Sequence, residues 1–145
     1  MDYSPAYIIS RYLIGEEILT DPSDSGSWPV YIGLLPDDND IPHNAVACID
    51  TAGLRDRRNM DGENLFHHGV QIMLRAEVYN TGYQKAQAIA TELEGVDHVN
   101  EVISSDTFQL ICIDQTTDIV VLGQEEGTKR RELFSINFLV TLKEI

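Results

Sequence analysis

The most regular pattern in the chain runs over residues 70–79, where Val70, Ile72, Leu74, Ala76 and Val78 alternate with Gln71, Met73, Arg75, Glu77 and Tyr79. A period of two puts each set on its own face of a pleated strand, so this stretch predicts a half-buried strand with one wetter side. The period changes directly afterwards. Tyr83, Ala86, Ile89, Ala90 and Leu93 share a helical face over 80–95, with Asn80 or Thr81 placed to cap the start and Gly95 to close the end. The small side chains of Ala86, Ala88 and Ala90 would let that helix lie close to a sheet. A second clean alternation, Phe134, Ile136, Phe138, Val140 and Leu142, predicts a strand over 132–142. Weaker apolar runs predict strands over 28–35, 45–50, 108–114 and 118–122. Near the start, Ser4-Pro5 supplies a capping hydroxyl and a proline at the first helical position. Ile8, Ile9, Tyr12 and Leu13 then give a helical stripe of about four turns, continuing to Glu16 and Glu17.

Two helices and about six strands, the late ones joined by short turns, do not alternate one for one. The expected fold is α+β: a mainly antiparallel sheet of about five to six strands, with two helices packed on one face, in a single domain over 1–145.

Between the strands lie stretches that suggest chemistry. Asp50-Thr51-Ala52-Gly53 imitates the segment through which GTP-binding proteins meet magnesium and the γ-phosphate. Such a site also needs a preceding GxxxxGK[ST] loop to hold phosphates and metal. Gly15, Gly26 and Gly33 are the glycines available in residues 1–49, and none is followed by lysine. The tetrapeptide therefore reads as a strand ending in a capping carboxylate and a turn glycine. His67-His68 would point to opposite faces of an extended chain, where they chelate one ion poorly, and no converging third or fourth ligand is apparent. The basic clusters Arg55-Asp56-Arg57-Arg58 and Lys129-Arg130-Arg131 stand beside acids without interleaved aromatics, as solvated turns or half of a charged interface do. No catalytic, cofactor or metal residues are assigned, and the protein is not expected to be an enzyme.

Charge sharpens this. Ten Lys and Arg face 24 Asp and Glu, a net −14, which repels phosphate backbones and anionic membranes. Cys48 and Cys112 sit in apolar runs without Cys/His partners, as buried free thiols in a reducing compartment would. No signal peptide or spanning segment is evident, so a cytosolic, soluble product is expected.

The order of signals in the second half resembles a known family. The segment RNMDGENLFHHGVQIMLRAEVYNTGYQKAQAIATELEG joins a histidine–glycine junction, a strand ending in Arg75-Ala76-x-x-Tyr79 and a helix opening on Gly82-Tyr83. A strand around Phe108, a Leu122-Gly123 turn with acids, and a closing Arg-x-x-Phe-Ser-x-Asn-Phe strand from Arg131 to Phe138 follow. Together, over roughly residues 3–143 and least clearly over 20–45, these resemble the minor capsid or tail terminator proteins of tailed bacteriophages. The resemblance implies a structural virion subunit with no catalytic residues, assembled in the host bacterial cytoplasm. Its expected form is a hexameric ring at the head-proximal end of the tail tube. It would contact tail tube protein and the head–tail connector or neck, with DNA passing through without specific binding. Another neck or head–tail completion role is the alternative within structural proteins; a small enzyme or nucleotide-binding domain is the alternative from another class. Residues 53–68, a polar segment without sustained period, are the candidate interface: Arg55, Arg57, Arg58, Asp61 and Glu63 offer charge, and Leu65 and Phe66 an apolar anchor.

Overall fold

The computed structural model describes residues 2–37, 40–55, 66–125 and 130–145. Helix α1 (Pro5–Gly15) begins as its sequence predicts, with the Ser4 hydroxyl accepting from the Tyr7 amide at 3.3 Å and proline inside the first turn. It is a turn shorter than expected, because Glu16 forms the C-cap and Glu17 turns to a positive φ of 61°. Strands β1 (Val30–Ile32), β2 (Ala45–Arg55) and β3 (Phe66–Ala76) follow, then helix α2 (Tyr79–Glu94). Strands β4 (Asp97–Ile103), β5 (Asp106–Gln115), β6 (Val120–Gln124) and β7 (Glu132–Glu144) complete the order.

The fold is α+β, built on one curled sheet of seven strands in the order β1-β2-β3-β7-β5-β4, with β6 also on β7. The sheet is mixed: β1 runs parallel to β2, while every other pair is antiparallel. β7 is the spine. One edge pairs with β3 from Glu132 to Leu142. Its other edge is shared end to end, with β6 along Glu132–Ser135 and β5 from Phe138 to Glu144. Between them the Thr116 amide and hydroxyl both donate to the Asn137 carbonyl.

Alternation dictates which side chains go inward. Val46, Cys48, Val70, Ile72, Leu74, Phe134, Ile136 and Val140 are fully buried, and the same apolar cluster takes in Ile8, Ile9 and Leu13 from α1 and Ala86, Ile89 and Leu93 from α2. A hydrogen bond of 2.8 Å from the Tyr12 hydroxyl to Glu92 ties the two helices together; burial, with Glu92 and other acids beside it, pushes the Tyr12 phenol upward.

Several boundaries move. The expected strand over 28–35 shrinks to β1, ended by Gly33 at φ 90°. β4 lies where no strand is expected, paired with β5 across a tight turn in which Ser104 takes φ 55°. Helix α2 is capped by neither Asn80 nor Thr81; both lie inside it, and Val78 at its N-cap makes no side-chain bond.

Candidate assembly surface

The expected interface, residues 53–68, falls between and onto the paired strands β2 and β3. β2 and β3 stay paired up to the rung Arg55↔Phe66, so the predicted polar loop loses residues to both strands. Arg57, Arg58, Asp61, Glu63 and Leu65 lie outside the described residues; Arg55 and Phe66 form the last described pair below them. Gly53 does not end a strand, and Asp50 caps something other than its own turn. Its carboxylate accepts the Ala6 amide of α1 at 2.9 Å, placing negative charge at the helix N-terminus, where the helix dipole favours it. Gly53 is needed for close approach: a Cβ there would stand 2.0 Å from the His67 carbonyl oxygen. Across the register shift between Thr51 and Leu54, Gly69 is equally hemmed in, its Cβ position 2.4 Å from the Thr51 hydroxyl. The two glycines let the hairpin cross an irregularity without opening.

His67 and His68 are strand residues rather than a junction. His67 Nδ1 lies 2.7 Å from the Thr141 hydroxyl on β7, while burial lowers the His68 imidazole, with nearby Asp50 acting in the opposite direction. Among the described residues no three His, Cys, Asp or Glu side chains group to hold a metal. Cys48 is buried, which raises its thiol to about 12; Cys112 is only half-buried.

At the opposite end of β7 the structure brings together residues that sequence reasoning left apart. Arg131, expected in a solvated turn or in half of a charged interface, has a side chain only 2% exposed. Its guanidinium pairs with Glu125 and, at 2.7 Å, with Asp37. Arg75, also buried, donates to the carbonyls of Pro36, Pro42 and His43 at 2.7, 3.1 and 3.1 Å. The two guanidiniums are close enough that Arg131, after burial, helps lower Arg75. They fasten both described ends of the β1–β2 connection to the sheet, and the carbonyls in turn satisfy a guanidinium that would be costly to bury unpaired. The hydrogen bond from Arg131 holds the Glu125 carboxyl below the usual carboxylate range.

Next to this clasp the surface turns apolar. Gly82 lets α2 press on the sheet, since a Cβ there would meet the Phe134 ring at 2.5 Å and the Ala76 methyl at 2.7 Å. Tyr79 and Tyr83 stack 6.5 Å apart over the edge of Phe134 yet remain exposed. On β6, where Val121 pairs with Phe134, Val120, Val121 and Leu122 are 41%, 42% and 49% exposed.

This end of the sheet thus combines exposed apolar side chains with a loop fastened by buried arginines. A family model described as bacteriophage tail terminator protein matches residues 12–144, from within α1 to the end of β7. The chain belongs to this family of structural phage tail proteins. No curated protein matches it.

Proposed function

We propose that the chain is a tail terminator that closes into a homohexameric ring on the head-proximal end of the tail tube and joins the tube to the head connector. The family match across 12–144 carries this reading, because it takes in the last turn of α1, all of α2 and every strand from β1 to β7. In this reading residues 1–145 act as one domain, with both helices covering one face of the sheet. The shared apolar cluster and the Tyr12–Glu92 bond support that arrangement. The segment between β2 and β3, with Arg55, Arg57, Arg58, Asp61, Glu63, Leu65 and Phe66, is proposed to meet a neighbouring subunit or a tail protein. A net charge of −14 suits a conduit through which DNA must slide without being gripped. No helix among the described residues is long and apolar enough to cross a membrane.

Native mass tests the ring. Six copies of 16.3 kDa give about 98 kDa, expected for the protein alone or in complex with tail tube protein. A strict monomer under both conditions would overturn the hexamer.

A further inference from the structure

An unpaired strand edge is a template for another chain, and edges that must stay single are covered, charged or interrupted by proline. Most edges of this sheet are dealt with in one of these ways. On the outer side of β1 the Val30 amide donates to the Thr20 carbonyl at 3.1 Å, and Thr20 bridges Pro29 on that same side. β4 carries Asp97, His98 and Glu101. Beyond Cys48, where β1 no longer pairs with β2, Asp50 is engaged with the first turn of α1. β6 differs from all of these. No residue from Val120 to Gln124 is charged, Val120, Val121 and Leu122 are exposed, and among the described residues no strand pairs with its outer edge.

The surroundings of β6 suit an added strand. Val121 pairs with Phe134, so both side chains lie on the same sheet face, the one on which Tyr79 and Tyr83 stack and meet the Phe134 ring. Where β6 begins, a groove of about 450 Å³ opens between α2 and the β5–β6 connection, lined by Tyr83, Gln87, Ala90, Gln115, Asp118 and Ile119. The Gln87 amide donates to the Tyr83 hydroxyl at 3.1 Å, holding that ring at the rim. Asp118 is the one charged side chain in the lining, and it forms no ion pair among the described residues. The far end of β6 is different in charge: Glu125 is held by Arg131, Glu132 accepts from the Gln124 amide, and Arg130 is an exposed cation. Unmatched negative charge therefore lies at the Asp118 end, beside an aromatic ring that also favours a cation.

We propose that tail tube protein adds an extended segment to the outer edge of β6, apolar at the positions that face Val121 and Tyr79, with a lysine or arginine reaching Asp118 and the Tyr83 ring. This rests on the tail terminator reading above and names the surface by which the chain holds the tube. Main-chain hydrogen bonds along the edge supply affinity in such a contact, and the alternate side chains supply selectivity. A second copy fits less well: it would bring another net −14 toward Asp118, and its other described edges are covered or acidic. The tube is also the assembly that a tail terminator has to hold.

Hydrogen exchange read by mass spectrometry, on the full chain alone and with tubes of tail tube protein, tests the contact. Amides of Val120–Gln124 should exchange quickly in the free chain and become protected on the tube, while those of β4 stay unchanged. Val121→Lys should keep the wild-type unfolding temperature, because the side chain is exposed, and weaken tube binding by roughly tenfold or more. Binding by the wild type should weaken as salt rises, and Asp118→Asn should flatten that dependence, a change that a purely structural role for Asp118 would not produce. Protection of β6 that arises when copies associate without tube protein would give the edge to a second copy, and protection by head connector protein but not by the tube would give it to the neck. Either result, or tube binding in which β6 still exchanges freely, would overturn the proposal while leaving the terminator reading intact. A chain that does not bind tubes at all would overturn both.

Discussion

Arg131 shows how far a single side chain can depart from the look of its neighbourhood. Within Lys129-Arg130-Arg131 it reads as one of three solvated cations, yet its side chain is 2% exposed between Glu125 and Asp37. Replacing it with Met should destabilise the fold by about 3 kcal/mol, at the lower end for a broken buried pair because Asp37 reaches solvent; chemical denaturation measures this. The pH dependence has a definite sign. Glu125 titrates below its unfolded value because Arg131 hydrogen-bonds its charged form, so its contribution is complete above the unfolded carboxylate range and is lost as pH falls through the depressed folded value. Wild type should therefore be more stable than Glu125→Gln at neutral pH, with the difference shrinking in acid; a difference that grows in acid would contradict the assignment. This site was illegible in the sequence for a physical reason. A charge run is solvated unless partners desolvate it, and Asp37 lies 94 positions away. Alternation puts Arg75 on the face of β3 expected to be wetter, yet it is buried there, because the carbonyls that enclose it belong to a connection with no periodicity to read.

At the scale of elements, periodicity was a good guide wherever it was long. The alternations around Val70–Ala76 and Phe134–Leu142 became the two central strands, and the helical stripe from Tyr83 to Leu93 became α2. Short or weakly apolar segments were not legible. β4 exposes most of its residues, and it turns at Ser104 without the Asn-Gly or Asp-Gly signal that marks a tight hairpin. The hairpin of β2 and β3 outran its expected limits because Gly53 and Gly69, which look like stops, instead admit a close crossing of backbones. Gly53→Ala should cost about 3 kcal/mol or more, since the added methyl meets backbone atoms that cannot swing aside. Hydrogen exchange should show the loss concentrated in the upper rungs near Leu54 and His67. At Gly82 the same change gains helix propensity but drives a methyl into Phe134 and Ala76, so a smaller net destabilisation is expected, read as a lowered unfolding temperature. Several residues that carry the family resemblance, Arg75, Ala76, Gly82, Arg131 and Phe134, thus meet at this end of the sheet, in the clasp or in the close fit of α2.

For the whole molecule, the balance is between exposed apolar side chains such as Leu34, Val121 and Leu122, which favour association, and a net charge of −14 that opposes it. Repulsion between copies is screened over about 10 Å at 0.1 M salt and about 3 Å at 1 M. Ring formation should therefore strengthen as salt rises, measurable as a falling midpoint concentration in light scattering. An assembly held by exposed ion pairs would respond in the opposite sense. Termination of a tail tube by a ring of this chain is visible in electron micrographs of tubes assembled with and without it. With the chain present, one end of each tube should carry a sixfold ring and tube growth at that end should stop; bare ends and an unchanged length distribution would contradict the account.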